Sequence, residues 1–342
     1  MKTFSPGEDT FIKLCLFILT SVAAAFALFW LRPVMIPFIL ALFFSLMLTP
    51  LIDAQKKYLK FPKILALITT LALGILILVV FWLVITSSIS QIAQNVAQYQ
   101  QKIELFLNKI IAMIHLEKFG INIKQLTAPF LKNMGENAGV MIRTVINAIL
   151  GIFSQGFLVL IFLVFLLLGK AKSAKTTNRD WLEGERRIKR YIGTKFLTSA
   201  STGVLVGIIL HILQVDMATL FGLFAFILNF IPSIGSIIAT LLPLPVVLAS
   251  PDLSVTSATL AIVIPGTIQF IIGNILEPQV IGDLLDLHPI SVLMALIFWG
   301  MIWGIVGMFL AVPLTVIMQI IFSRIELTAP IAGLLAGRLE KD

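Results

Sequence analysis

Long apolar runs recur along the whole chain, and short polar or basic segments separate them. A bilayer core of about 30 Å is crossed by about 20 apolar residues in a helix. The pattern therefore predicts an all-α polytopic membrane protein with about eight transmembrane helices, two of them long and interrupted, plus an external helical arm. The predicted spans are 14–31, 34–52, 64–86, 144–169, 197–214, 217–249, 254–275 and 290–322.

The same alternation of apolar and polar segments divides the chain into six regions. They are spans one to three (1–86), an external amphipathic helical region (87–143), span four (144–169), a basic cytoplasmic loop with an interfacial helix (170–196), a C-terminal transmembrane region with interrupted helices (197–323) and a cytoplasmic tail (324–342).

The two longest apolar tracts, 217–249 and 290–322, exceed what one crossing requires. Each would form about 50 Å of straight helix at 1.5 Å per residue. Both contain residues that break or kink helices: Pro232 and Gly235 in the first, and Gly300, Gly304, Gly307 and Pro313 in the second. Broken membrane helices commonly build solute and ion sites, whereas glycine and proline also serve close packing and kinks. Whether each tract is one broken span or a re-entrant hairpin stays open.

An apolar stripe continues past the third span at alternating spacings of four and three, from Ile85 through Ile92 and Ile103 to Ile110. This heptad-like pattern predicts that the helix extends well beyond the membrane. A second amphipathic stretch at about 124–143 allows either a hairpin that closes within one subunit or a contact between subunits.

Basic residues indicate the topology. Residues 170–195 carry nine Lys and Arg, and Lys56 to Lys63 form a second basic group. By the positive-inside rule both segments face the cytoplasm. If each long tract crosses once, both termini are cytoplasmic, and the connection from Glu277 to His288, which has no Lys or Arg, faces outward. Residues 181–196 are expected to form an amphipathic helix at the lipid headgroups.

Composition supports a membrane protein and argues against nucleic-acid binding and enzyme activity. The 342 residues are 59% hydrophobic and 12% charged, with a formal net charge of +8. The cations lie between apolar runs and form no basic face with interleaved aromatics, so nucleic acid is not an expected partner. Phosphate-binding, dinucleotide, zinc-protease and nucleophile-elbow motifs do not occur. We therefore expect no enzyme activity, no catalytic residue, no cofactor and no metal site.

Uncharged polar side chains within the C-terminal spans are the candidates for a solute pathway. Asn229 and Ser233 flank the break at Pro232 and Gly235, and Gln269 and Asn274 lie on the span that precedes Glu277. Such groups suit a neutral, hydroxyl-bearing solute, although hydrogen bonds between helices are an equal alternative. The predicted pathway residues are Asn229, Pro232, Ser233, Gly235, Gln269, Asn274, Glu277, Pro278 and His288.

Several segments in order resemble the autoinducer-2 exporter family, the PerM-like permeases. They are Pro33–Phe38, Thr49–Asp53, Asn229–Gly235, Asn274–Gly282, Leu287–Pro289 and Gly307–Pro313. The resemblance covers essentially the whole chain. It implies a multi-pass protein of the inner membrane with about eight spans, a homo-oligomer that is a pentamer, and export of a solute or ion.

Three functions follow for testing. The leading hypothesis is a secondary transporter that exports a small polar metabolite or signal, with coupling to Na⁺ or H⁺ unproven; its two broken helices would meet near mid-membrane, with Glu277 as a gate or proton site. The second is a Na⁺(Li⁺)/H⁺ antiporter, which needs a buried carboxylate that titrates. The third is a non-transporting protein that organises an envelope complex.

Overall fold

The computed structural model describes residues 6–114, 151, 156–169, 179–248, 250, 253–281, 287–325 and 328–338. Every regular element in these ranges is helical. The helices are α1 (Pro6–Trp30), α2 (Arg32–Tyr58), α3 (Lys63–Ile114), α4 (Gly156–Gly169), α5 (Arg179–Ile212), α6 (Ala218–Leu228), α7 (Ile234–Leu241), α8 (Leu244–Leu248), α9 (Val255–Ile271), α10 (Glu277–Ile281), α11 (Pro289–Phe322) and α12 (Ala329–Leu335), and a π-helical turn at Ile272–Leu276 joins α9 to α10.

Five helices in the described residues are long and apolar enough to cross a membrane. They lie at Arg32–Tyr58, Lys63–Gln91, Gly184–Ile212, Val255–Val280 and Pro289–Phe322. Shorter apolar helices lie at Ile18–Trp30, Gly156–Gly169, Ala218–Leu228 and Ile234–Leu248. The prediction of an all-α polytopic membrane protein is confirmed.

Helix α3 contains 52 residues without a break. At 1.5 Å per residue it is about 78 Å long, more than twice the thickness of a bilayer core. The helix therefore continues through the position where the hydropathy falls, near residue 87. Residues 115–143, which include the second amphipathic stretch, lie outside the described residues, so the form of the arm stays a prediction.

Helix α5 differs from the predicted arrangement. The sequence indicated a headgroup helix up to residue 196 and a separate span from 197, but one continuous helix runs from Arg179 to Ile212. Tyr191, Ile192 and Lys195 are buried in it. The apolar face of the amphipathic segment continues directly into that of the span, so both segments pack as one helix. Residues 170–178 of the basic loop lie outside the described residues.

The described helices belong to two compact units. The first unit comprises Met1–Met47, Gln155–Ile188 and Leu285–Asp342, and the second comprises Leu48–Ser154 and Lys189–Leu284. The two long apolar tracts fall one in each unit, so each tract is described within its own unit.

In the second unit, the tract 217–249 folds back on itself as helices α6, α7 and α8. Helices α6 and α7 pack against each other across a break in which Ser233 has a φ of 60°. Gly235 is required at this turn, because a Cβ there would lie 1.7 Å from the carbonyl oxygen of Leu228. Because α6 and α7 pack against each other across this tight turn, the start of α6 and the end of α7 lie on the same side, and Ala218 and Val247 both belong to the core of the unit.

In the first unit, the tract 290–322 also folds back on itself. Gly304 interrupts α11 with a φ of 64° and a ψ of −142°. On either side of it, Trp299 Nε1 donates to Thr315 Oγ1 at 3.3 Å. Sixteen residues would separate these groups by about 24 Å in a straight helix. Both tracts are therefore helical hairpins, which decides between the two alternatives that the sequence left open. Pro232, Gly235 and Gly304 lie at the turns, whereas Pro313 lies in the returning arm of the second hairpin.

Candidate functional site

Lys195 on α5 forms a buried ion pair with Glu277 at the start of α10. Their side chains are only 4% and 12% exposed. Tyr191, one turn before Lys195 and also buried, interacts electrostatically with Glu277. A buried charge is costly unless it is paired and hydrogen-bonded. Each of the two charges therefore compensates the other inside the protein.

The ion pair fixes how α5 lies against the segment α9–α10. Fifteen residues separate Lys195 from Leu210, and sixteen separate Ala261 from Glu277. At 1.5 Å per residue these distances are about 22 and 24 Å. Leu210 and Ala261 share the core cluster at one level, and Lys195 and Glu277 are paired at the other. The two segments are therefore antiparallel and in register.

This register contradicts the predicted position of the Glu277 connection. The sequence placed Lys195 at the cytoplasmic end of its span and Glu277 on the outer side, but the ion pair places both at one level. The error arose because the tract 217–249 was counted as a crossing. Since that tract returns to the level at which it started, α9 crosses in the direction opposite to the predicted one.

The turn of the first hairpin is tied to α5 close to the ion pair. Asn229, which ends α6, donates from Nδ2 to Ser199 Oγ at 3.0 Å, and both side chains are buried. Ser199 lies one helical turn after Lys195. Close backbone packing continues along the same face, because a Cβ on Gly203 would lie 2.8 Å from the carbonyl oxygen of Gly222. Gly203 therefore allows α5 and α6 to pack closely.

Gln269 is the polar side chain whose surroundings are least expected. It is 3% exposed, yet neither its amide nitrogen nor its amide oxygen has a hydrogen-bond partner in the described parts of the chain. It lies on α9 between Gly266, which faces Thr240 of α7, and Gly273, which faces Ser236 of α7. Burying an amide without hydrogen bonds costs roughly 1–3 kcal/mol by mutational measures. Gln269 therefore carries a free-energy cost that no hydrogen bond among the described residues offsets.

Five largely buried polar side chains of the second unit are grouped under the name polar cluster. They are the contacting pairs Lys195–Glu277 and Ser199–Asn229, together with the separate side chain of Gln269. They lie on α5, at the turn of the first hairpin, on α9 and at the start of α10, along the half of the unit that contains the ion pair. Sequence reasoning identified Asn229, Gln269 and Glu277 but missed Lys195 and Ser199. Lys195 was counted with the basic loop. Its burial could have been inferred only from the apolar helix face that continues through Tyr191 and Ile192 into the span.

The other predicted residues of the second unit lie at its surface or hold the turn. Ser233, Asn274 and Pro278 are exposed, and Pro232 is half-buried. Asn274 Nδ2 donates to the carbonyl oxygen of Phe270 at 3.2 Å. It lies in the π-helical turn, a type of irregularity that is frequent at functional sites. Gly235 is buried and shapes the hairpin turn.

The predicted residues of the first unit have structural contacts in that unit. His288 caps α11, because its imidazole Nδ1 accepts from the backbone N–H of Ile290 at 3.3 Å. The backbone N–H of His288 donates to the carbonyl oxygen of Leu335 at 2.9 Å. Gly300, Gly304 and Gly307 lie at the reversal of the second hairpin, and Pro313 is buried in its returning arm. The expectation that both broken tracts meet near mid-membrane stays a prediction.

Aromatic rings hold the first hairpin in place. Phe226 of α6 makes edge-to-face contacts with Phe81 of α3, Phe196 of α5 and Phe230 at the turn, with ring centroids 5.5–6.0 Å apart. Such geometry adds about 0.5–1.5 kcal/mol per pair beyond the area buried. The apolar packing on α3 and α5 therefore positions Asn229 beside Ser199.

The described residues contain no set of side chains that could bind a metal ion. No group of three or more His, Cys, Asp or Glu side chains converges there. The polar cluster consists instead of one compensated ion pair, a hydroxyl and two carboxamides. This set can form hydrogen bonds to an uncharged solute without adding net charge to the site.

Comparison with known proteins gives one consistent family. Residues 16–326 match the model of the AI-2E family transporter. The AI-2 transport protein TqsA of Escherichia coli K12 is 29% identical over 313 residues, covering 89% of each chain. A protein of Haemophilus influenzae named "Putative transport protein" is 31% identical over 323 residues, covering 88% of this chain and 90% of its own. The transport protein family predicted from the sequence motifs is confirmed.

Proposed function

Because the chain belongs to the AI-2E family of transporters, we propose that it exports a small, uncharged, polar metabolite or signalling molecule through the second unit. The chain is a multi-pass membrane transporter and not an enzyme. The nature of the solute, the coupling and the assembly are the proposals that follow.

The observation that supports an uncharged solute most directly is the buried, unpartnered carboxamide of Gln269. A carboxamide offers two N–H donors and one carbonyl acceptor. Sites built to hydrogen-bond a solute discriminate strongly, since a solute lacking the matching group leaves buried polar atoms unpaired. We propose that a hydroxyl or carbonyl of the solute satisfies Gln269, and that Asn229 and Ser199 contact the same solute from the hairpin and α5.

The chemical class follows from the charge of the cluster. The Lys195–Glu277 pair is neutral as a whole, so neither an anion nor a cation gains a free opposite charge there. The Escherichia coli relative is named for AI-2 transport. We propose AI-2, or a similar furanosyl or polyhydroxylated molecule, as the solute of this chain.

The ion pair is proposed to act as a gate. It joins α5, which is packed against the first hairpin, to α10, which follows the π-helical turn. Opening the pair exposes two charges, so it is favourable only when water or solute replaces the lost partner. Protonation of Glu277 would release Lys195, which offers a route for coupling export to H⁺. The antiporter alternative is less favoured, because Lys195 compensates the carboxylate of Glu277 and a Na⁺ ion would gain no further negative charge in the polar cluster.

The topology is proposed to have six crossings and two hairpins. Replacing two presumed crossings by two hairpins leaves the parity of the chain unchanged, so both termini remain on the cytoplasmic side, with the Glu277–His288 connection now also cytoplasmic. The family match supports location in the inner membrane. Assembly as a homo-oligomer, a pentamer by resemblance to the family, is also proposed.

A flux screen in proteoliposomes tests this function. The purified full chain is reconstituted, and uptake of AI-2, D-ribose and ²²Na⁺ is measured with no gradient, with an imposed pH gradient and with an imposed Na⁺ gradient. We expect protein-dependent flux of AI-2 or the polyol that saturates with concentration. Flux of ²²Na⁺ driven by the pH gradient, with none of the uncharged solutes, would replace this proposal by the antiporter.

A further inference from the structure

A second polar site lies in the second unit, at the other end of α5 from the ion pair. It is a cavity of about 520 Å³ between α3 and the turn that joins α5 to α6. Ser87, Ser88 and Gln91 line it from α3, and residues 214–219 together with His211 line it from the turn. Sixteen residues of α5 separate Lys195 from His211, about 24 Å. The cavity, called the vestibule below, is therefore distinct from the polar cluster.

The turn that lines the vestibule has an unusual backbone. Gln214 and Met217 have φ values of 57° and 59°, a left-handed conformation that is unfavourable for residues with a Cβ. The turn is held by its buried residues: Val215 N–H donates to the carbonyl oxygen of Leu210 at 2.9 Å, and Val215 is 4% exposed. Local strain of this kind clusters at ligand-binding sites. Its effect is to bury Val215 while Gln214 and Asp216 stay exposed at the vestibule.

The wall contributed by α3 is rich in hydrogen-bond acceptors. Ser87 and Ser88 each donate their hydroxyl hydrogen to the carbonyl oxygen of Val84, at 2.9 and 2.8 Å. Each hydroxyl oxygen then has lone pairs left to accept. Gln91 adds an acceptor oxygen from α3, and Asp216 adds acceptor oxygens from the turn on the opposite side. Together these acceptors favour a ligand that carries several hydrogen-bond donors.

The charge of the vestibule narrows the ligand class. Among the described residues that line it there is no Lys or Arg, so an anion would find no fixed cation. Gln91 and Gln214 supply carboxamide N–H donors. These can donate to ligand oxygens, which the hydroxyls of Ser87 and Ser88 cannot do because their hydrogens are already donated. Mixed carboxamide, hydroxyl and carboxylate groups around an open cavity suit a small molecule with several hydroxyls, each of which both donates and accepts.

We propose that the vestibule is a second binding site, which takes a small, uncharged, polyhydroxylated solute before it leaves the transporter. This inference rests on the proposed function, because it assigns the same solute class to both ends of α5. The α3 wall lies in the region predicted to be outside the membrane, so the vestibule is the exit end of the pathway. The site adds affinity for released solute and does not take part in the gate at Lys195 and Glu277.

Cysteine protection tests the vestibule. On a Cys15→Ser background, Val84→Cys and Thr219→Cys report from two walls of the site, and Ile212→Cys, exposed in the last turn of α5, is the matched control. Two reporters on different elements guard against a folding defect at either position. The labelling rate with a charged methanethiosulfonate reagent is measured in the reconstituted full chain with AI-2, D-ribose, choline or NaCl.

A ligand at four times its Kd slows labelling of an occluded cysteine about fivefold. We expect AI-2 or D-ribose to slow both reporters by that factor and to leave Ile212→Cys unchanged. Equal rates with and without the polyols would overturn the proposal, and protection by choline or Na⁺ alone would replace it by a cation site. Protection of the reporters without flux in the proteoliposome screen would contradict the proposed function but support the vestibule as a binding site. Flux without protection would support the proposed function but contradict the vestibule as a binding site.

Discussion

Lys195 and Glu277 lie 82 residues apart in the sequence and form one buried ion pair. The pair joins α5 to the segment α9–α10. It also shows that the end of α9–α10 lies beside the first half of α5, which the hydropathy pattern did not indicate.

Single and double substitutions of the ion pair separate its stability from its role in gating. Glu277→Gln or Lys195→Met should each leave one buried charge without a partner, which costs about 3–5 kcal/mol. The double variant Lys195→Met with Glu277→Leu should recover most of that loss, because an apolar pair of similar volume has no charge to desolvate. Thermal melting of the purified variants measures the effect. A double variant that melts as low as the single variants would show that the charges do not compensate each other.

The same variants test the coupling to protons. Glu277→Gln should abolish the part of the flux that depends on an imposed pH gradient, since the group that would exchange the proton is gone. Flux in proteoliposomes at several external pH values provides the measurement. If pH-driven flux in Glu277→Gln equals that of the wild type, Glu277 has no part in coupling.

The corrected topology predicts where single cysteines can be labelled. On the Cys15→Ser background, Gln279→Cys should react only from the cytoplasmic side, together with Lys60→Cys in the basic connection. Val255→Cys, at the opposite end of the same span and 81% exposed, should react only from outside and is the matched control. Reaction of Gln279→Cys with an impermeant reagent added to intact cells would restore the outward position that hydropathy suggested.

The hairpin turn makes a sharp prediction for one glycine. Gly235→Ala should prevent the close approach of α6 and α7, since the new methyl group would lie 1.7 Å from the carbonyl oxygen of Leu228. We expect a large fall in melting temperature and in the yield of folded protein. Gly193→Ala on α5, where a Cβ meets no atom within 4 Å, should be neutral or stabilise the helix by up to about 1 kcal/mol. Equal behaviour of the two variants would mean that the chain does not reverse at Gly235.

Much of the fold can be predicted from the sequence, because hydropathy measures how apolar a segment is, and a bilayer accommodates only apolar segments. The apolar runs located the helices, and Pro232, Gly235 and Gly304 marked where two tracts are interrupted. Hydropathy cannot distinguish a tract that crosses from one that turns back, since both expose the same apolar surface to lipid. The hairpins became visible only from contacts such as Trp299 with Thr315.

The candidate site was predictable only in part, for a related reason. Polar residues within apolar runs are conspicuous, so Asn229, Gln269 and Glu277 could be identified. Lys195 could not, because the positive-inside rule counts every lysine near a span alike. Its burial depends on long-range pairing with Glu277, which no local pattern encodes. The unpartnered state of Gln269 is likewise a property of the packed helices α7 and α9.

If Gln269 serves the solute and not the fold, Gln269→Leu should impair transport without lowering stability. Leucine has a similar volume and removes two unsatisfied polar atoms, so the variant should melt at or above the wild-type temperature. Its flux of the best solute from the screen should fall about tenfold, as expected for the loss of about 1.4 kcal/mol of solute binding. Asn274→Leu, on the exposed side of the same segment, is the control and should keep its flux. A Gln269→Leu protein that transports like the wild type, or that loses flux only because it unfolds, would contradict the claim.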